Sequence, residues 1–244
     1  MFRIYRNLAL ATAMAAITLV AQPAEAGVVI TGTRVIFPAQ EREVTLRLTN
    51  TAQTPVLVQS WIDDGDVRST PAQAAAVPFV IRPPVFRMNA ESGQAMRILH
   101  TGQPMPEDRE SVYYLNVLEV PAVGTEADRA HLQLIVRSRL KLFYRPKGLS
   151  AAGAAKAPSQ LIWTASRAGN GWALEARNPT AYHVNINAVI TANERITAGL
   201  AAPFATTRYT LSQAQFNALG PTVTFEAVSD HGAKISATAP LTHP

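Results

Sequence analysis

The sequence predicts an all-β fold made of two sandwich domains. Three observations lead there. Short runs of apolar–polar alternation recur along the chain, turn residues separate them, and one break rich in Ala, Gly and Pro divides it. The 244 residues include no cysteine, so buried core has to hold the fold, and a chain of this length can supply it. Helical periodicity is nearly absent; only LSQAQFNAL (211–219) reads as a turn or two of helix.

The first 26 residues stand outside the predicted fold. They carry a basic start (Arg3, Arg6), an apolar run from Leu8 to Val20 and the small-x-small ending Ala24-Glu25-Ala26. That layout predicts a secretory signal peptide cleaved after Ala26; the apolar run is short for a membrane anchor. The full chain carries 22 Lys+Arg against 17 Asp+Glu. Losing Arg3, Arg6 and Glu25 lowers the positive excess by one, a modest charge that calls for no nucleic-acid partner.

VVITGTRVIFP (28–38) opens the fold as a strand, and EVTLRLTN (43–50) follows. In the latter Val44, Leu46 and Leu48 alternate with Thr45, Arg47 and Thr49, the pattern of a half-buried strand. PVLVQSWI (55–62) ends at Asp64-Gly65, a hairpin-turn signal. VPFVIRPPVFRM, QAMRILH and SVYYLNVLEVP (111–121) continue the series, and the short polar loop AVGTEADRAH leads to LQLIVRSRLKLFYRP (132–146). PKGLSAAGAAKAPSQ (146–160) then breaks the strand pattern and reads as a linker. The second half resumes with LIWTASRAGNGWALEARNPTAYHVNINAVI, turning at Gly169-Asn170-Gly171 and Asn178-Pro179-Thr180, and ends with VTFEAVSD and KISATAPL. Domains are therefore expected over 27–147 and 148–244. LTNTAQTPVLVQ and ARNPTAYHVNI share a strand, an Asn turn and a second strand, a weak internal echo.

Enzyme signatures are missing. The five histidines are scattered, without an H-E-x-x-H pair or a cysteine cluster, so no metal site is expected. No phosphate-cradling glycine loop or G-x-S-x-G elbow occurs, and nothing asks for a cofactor. DDGD (63–66) lacks the ligand ladder of a calcium loop and reads as a solvated turn. Trp61, Trp163 and Trp172 fall within strand patterns and are expected in the core.

LQLIVRSRLKLFYRP is the stretch most in need of explanation. Leu132, Leu134 and Val136 share one strand face. In mid-sheet they would be core; at an edge they would be an aggregation hazard unless meant to pair with another protein's sheet. Lys141 has a similar pair of readings: a solvated lysine, or one half of a two-cation site with Arg34 for a single carboxylate. Strict alternation puts Lys141 opposite the apolar row, so presenting both to one partner would need a bulge or twist between Val136 and Lys141.

TRVIFP (33–38), PEDRESVYYLNVLEVP (106–121) and RLKLFYRP (139–146), in that order, resemble the periplasmic pilus-assembly chaperones of the chaperone–usher pathway. NPTAYHVNI, APFATT and VSDHGAKI resemble that family's second domain, so the likeness spans nearly all of the chain beyond residue 26. The resemblance implies two immunoglobulin-like domains set in a boomerang. It also implies a periplasmic location, no enzymatic activity, and partners that are pilin or fimbrial subunits and an outer-membrane usher. Its cleft cations fall on Arg34 and Lys141, which would anchor a subunit's C-terminal carboxylate. Its donor-strand residues fall on Leu132, Leu134 and Val136, and its interdomain charge cluster on Glu110, Arg145 and Asp230. SDHG departs from the family's usual Asn-Asp-Tyr-Gly, and the short loop before the donor strand, with no cysteine pair nearby, implies the short-loop branch. Self-association of the free protein is a further expectation. A fibre subunit would be expected instead to carry an N-terminal extension of alternating apolar residues after the signal, and a sugar-binding sandwich or secreted enzyme to pair acids with an aromatic platform.

Overall fold

The computed structural model describes residues 27–122, 134–169, 171–191 and 194–242. The expected signal peptide, most of the loop AVGTEADRAH with its short-loop assignment, and Leu132 lie outside the described residues.

Two strand-built units follow one another. The first holds a four-stranded sheet in the order β1 (Val28–Ile30), β3 (Glu43–Asn50), β7 (Gly93–His100), β5 (Phe79–Arg82). Against it packs a five-stranded sheet in the order β2 (Arg34–Pro38), β9 (Val136–Arg145), β8 (Ser111–Pro121), β4 (Val56–Asp63), β6 (Val85–Met88). Phe37, Leu48, Val58, Met96, Ile98, Leu115 and Leu142 fill the space between them. Leu46 and Leu48 of β3 are buried while Thr45, Arg47 and Thr49 are exposed, as the alternation predicts.

The opening stretch is two strands, not one. At Gly32, φ is +93°, a conformation that favours glycine, and the chain bends from β1, antiparallel to β3, into β2, parallel to β9. The expected hairpin at Asp64-Gly65 is also absent. Asp63 turns its carboxylate inward onto the Gly65 amide (2.8 Å) and the Ser69 hydroxyl (3.0 Å), and the chain runs through a 3₁₀ turn (Pro71–Ala76) into the other sheet. Inward hydrogen bonds thus replace the two-residue turn that Asp-Gly would otherwise favour.

The expected linker contains helix α1 (Ala151–Lys156), capped by Ser150, whose hydroxyl accepts from the Gly153 amide (3.1 Å). Alanines outvote the glycine there, and a 3₁₀ turn (Ala157–Gln160) completes the crossing. The second unit is an eight-stranded sheet. It contains β10 (Ile162–Ala168), β11 (Gly171–Arg177), β12 (Val184–Ile190), β13 (Arg195–Thr197), β14 (Leu200–Ala201), β15 (Thr206–Leu211), β16 (Thr222–Val228) and β17 (Lys234–Thr242), with α2 (Gln213–Asn217) between β15 and β16. Trp163, Leu174, Ile186 and Phe225 form its core.

The internal echo has a physical basis. Asn50 and Asn178 are both fully buried and do the same work in each unit. Each accepts from the amide two residues on (Ala52, Thr180) and donates to the carbonyl four residues on (Thr54, Tyr182). Each amide group also ties in a distant strand end: Asn50 donates to Asn89, and Asn178 to Ala201 and Ala202. Asn178→Ala strands these carbonyls in a buried site and is expected to cost about 2–3 kcal/mol. Chemical denaturation checks it; a shift well under 1 kcal/mol would show that water replaces the amide at no cost.

Candidate functional site

Strand β9 answers its own puzzle through its two faces. Its register with β8 runs unbroken from Ser111 opposite Tyr144 to Glu119 opposite Val136, so the bulge expected between Val136 and Lys141 does not form. None is needed, because a strand lying in the plane of the sheet along an edge meets the side chains of both faces. Val136 lies in the row of Leu140 and Leu142, which are core, while Leu134, just before the strand, and Val136 are 65% and 49% exposed. Lys141 belongs to the opposite row, with Arg137, Arg139, Phe143 and Arg145.

The edge is open over half of the strand. β2 pairs with β9 from Arg34 opposite Lys141 to Pro38 opposite Arg145, so Lys141–Tyr144 has strands on both sides. From Val136 to Leu140 the strand pairs with β8 alone among the described residues. Exposed apolar side chains and an unpaired backbone edge therefore coincide there, the combination that proteins ordinarily blunt.

Three of the four cations on β9 are occupied. Arg137 donates to Asn116 Oδ1 (3.0 and 2.7 Å) and the Val67 carbonyl (2.9 Å), with its guanidinium 4.8 Å from the Trp61 ring centroid. Arg139 pairs with Asp63 (2.5 Å) and lies 3.7 Å from the Tyr114 ring centroid. Arg145 bridges two carboxylates: Nε to Glu110 Oε1 at 2.7 Å, and both Nη atoms to Asp230 at 2.8 and 3.1 Å.

Lys141 has no carboxylate partner among the described residues. Burial, then the charges of Arg34 and Arg139, push its pKa below the ordinary lysine value. Across the strand pair Arg34 donates from Nη1 to the Val228 carbonyl (3.1 Å), while its buried Nε has no partner among the described residues. Burial lowers its pKa despite the opposing pull of Asp230. Two under-neutralised cations thus lie side by side on adjacent strands, an arrangement that favours an anion between them. A cleft of about 90 Å³ beside Arg34 is lined also by Glu110, His183, Val228 and Asp230, so two carboxylates share it with the guanidinium.

The arginine bridge crosses between the two units. Glu110 Oε2 accepts from the His183 amide (2.8 Å), and the Glu110 amide donates to the Ala181 carbonyl (2.9 Å). Asp230 sits in the β16–β17 turn, where Gly232 has φ +83° and a Cβ would stand 2.5 Å from the Thr33 hydroxyl. Gly232 thus lets this turn press against the start of β2. Arg34 with Lys141 and Glu110 with Arg145 and Asp230 come together as two neighbouring sets, with Leu134 and Val136 further along the same edge.

Sequence reasoning missed Asp63 and Gly232. DDGD reads as solvent-facing, yet Asp63 is 5% exposed. The available signal was a pair of arginines in an apolar strand, which need a carboxylate from somewhere.

Comparison with known proteins agrees with this fold. The family described as pili and flagellar-assembly chaperone, PapD N-terminal domain, matches residues 27–150, and pili assembly chaperone PapD, C-terminal domain, matches 156–239. The chain is similar to the chaperone protein FimB/FhaD of Bordetella pertussis, 48% identical over 68% of each chain. It is also similar to the probable fimbrial chaperone YadV of Escherichia coli K12, 38% identical over 88% of this chain and 90% of that one. Among solved structures, the YadV chaperone superposes with a TM-score of 0.72 at 36% identity, covering 88% of this chain and 100% of that chain. Salmonella enterica SafB, in complex with the SafA pilin, reaches 0.75 at 26% identity, covering 91% and 99%.

Proposed function

The chain belongs to the family of pilus-assembly chaperones of the chaperone–usher pathway, and from that membership we propose that it captures an unassembled pilin along the open edge of β9. The guest strand runs parallel to β9, in the column that β2 occupies further on, and ends at Arg34 and Lys141. Leu132, Leu134 and Val136 enter the subunit's groove, in the manner of β-strand addition. The single observation that carries this reading is the meeting of an exposed apolar row with an unpaired edge and two cations that form no ion pair among the described residues. A similar chaperone in complex with a pilin supports it.

The lent strand satisfies backbone groups of the subunit and covers apolar surface that would otherwise drive its aggregation. Release needs no ATP, because a neighbouring subunit's own strand displaces the lent one. Delivery to an outer-membrane usher, action in the periplasm after cleavage following Ala26, and self-association that shields the empty edge complete the proposal.

A pull-down from the periplasm of the native host tests it, with bound proteins identified by mass. Wild type is expected to retain a small subunit-sized protein. Leu134→Glu forfeits about 1.5–3 kcal/mol of burial and adds a charge to the groove, so capture falls by at least about tenfold. Retention of the same protein at equal yield by Leu134→Glu would remove the donor-strand role.

A further inference from the structure

We propose that Asp63 selects the register in which a partner strand docks, by occupying Arg139 so that a chain-terminal carboxylate finds one open cation site on β9. The proposal rests on the docking reading above and adds a positioning residue that itself touches neither the groove nor the carboxylate.

An apolar row does not fix register by itself. An added strand that slips by one residue turns every side chain to the wrong face, but a slip by two restores each to its own face. Arg139 and Lys141 are two residues apart on one face, about 6.8 Å along the strand. Left alone, the pair would offer two anchors at the spacing of the tolerated slip.

Asp63 removes one of them. Its Oδ1 takes Arg139 Nη2 at 2.5 Å and its Oδ2 takes Arg139 Nε at 3.3 Å. Asn116 (2.7 Å), Ser69 (3.0 Å) and the Gly65 amide (2.8 Å) also donate to it. Burial would push this carboxyl up, but donation from Arg139, Asn116, Gly65 and Ser69 prevails and holds it below the usual carboxylate range. It therefore stays ionised at neutral pH. Asn116 and the Val67 carbonyl hold Arg137 in the same way. A guest carboxylate at Arg139 would have to displace a charge-assisted, two-point contact; at Lys141 and Arg34 it meets cations without one.

The test uses the absence of native cysteine. Ile135→Cys places a thiol at an exposed position on the face of Lys141. The probes are synthetic peptides of alternating valine and serine with a free C-terminal carboxylate or an amide, and one cysteine either six or four residues before the end. The first reads docking at Lys141 and the second docking displaced to Arg139. With Asp63 intact, disulfide capture is expected to favour the first. Asp63→Asn is expected to raise the displaced product at least about tenfold, equivalent to about 1.4 kcal/mol. Asp63→Asn with Arg139→Gln should restore the single register, a rescue that a merely structural role would not give. An unchanged product ratio in Asp63→Asn overturns the proposal. Should Asp63→Asn not fold, Lys141→Gln decides. With Asp63 in place, it is expected to lose preference for carboxylate over amide in both registers. A carboxylate preference surviving in the displaced register would show Arg139 available and overturn the proposal. A protein with Asp63 and Lys141 intact that ignores the carboxylate in both registers would overturn the docking reading itself.

Discussion

Glu110→Ala is expected to destabilise the protein by roughly 3–5 kcal/mol, lowering its melting temperature by about 10 °C, more than any change in the cation pair. Glu110 is 3% exposed and serves both units at once, accepting from Arg145 through Oε1 and from the His183 amide through Oε2. Its loss leaves a guanidinium that is 6% exposed with only Asp230 as a charge partner among the described residues, and strands the part-buried amide of His183. Calorimetry checks the size of the effect, and a melting temperature within 2 °C of wild type would argue against a structural role for the cluster.

The double variant Glu110→Ala, Arg145→Met separates stability from orientation. Replacing a buried ionic group with apolar side chains is often neutral or better for stability, so much of the loss should be recovered. The arginine fork to Asp230 would still be gone, and with it the two-point contact that we expect to hold one unit at a fixed angle to the other. Small-angle scattering should then show a broader range of interdomain angles at near-normal melting temperature. An unbroadened profile would assign the angle to the backbone contacts at Ala181 and the close approach of Gly232 to Thr33.

Periodicity made most of the fold legible. Leu46 and Leu48 declare an inward face by alternation alone, and the echo between LTNTAQTP and ARNPTAYH marks two buried asparagines with one bonding pattern. What stayed hidden depends on residues meeting from far apart. Asp63 looks like part of a turn because its partners, Asn116 and Arg139, are 53 and 76 residues away. The parallel register that sets Arg34 beside Lys141 arises from the bend at Gly32, which a strand pattern reading straight through 28–38 conceals. Opposite parity of Lys141 and Val136 suggested a bulge only because both were imagined facing one partner from one side. An edge presents both faces.

Lys141→Ala and Arg34→Ala are each expected to weaken subunit capture strongly while leaving a folded protein. Each cation supplies a charge-assisted contact worth about 1.5–3 kcal/mol to the guest carboxylate, so either loss weakens binding by roughly ten- to a hundredfold. Their effects on stability should differ. Arg34 holds the Val228 carbonyl and its removal costs an interdomain bond, whereas Lys141 has no carboxylate partner among the described residues and its removal relieves a half-buried charge. The pH dependence separates the two functions of Lys141. Because its folded-state pKa lies below the unfolded value, the neutral form suits the fold, and stability contributed by this group rises as pH climbs through that folded value. Capture has the opposite sign, since the anchor needs the ammonium and is lost over the same rise. Lys141→Arg, whose charge persists above pH 12, should keep capture across the range where wild type lets go. Subunit yield against pH for the two proteins is the deciding measurement. If both decline together, the titrating group belongs to the subunit and the anchor assignment for Lys141 falls.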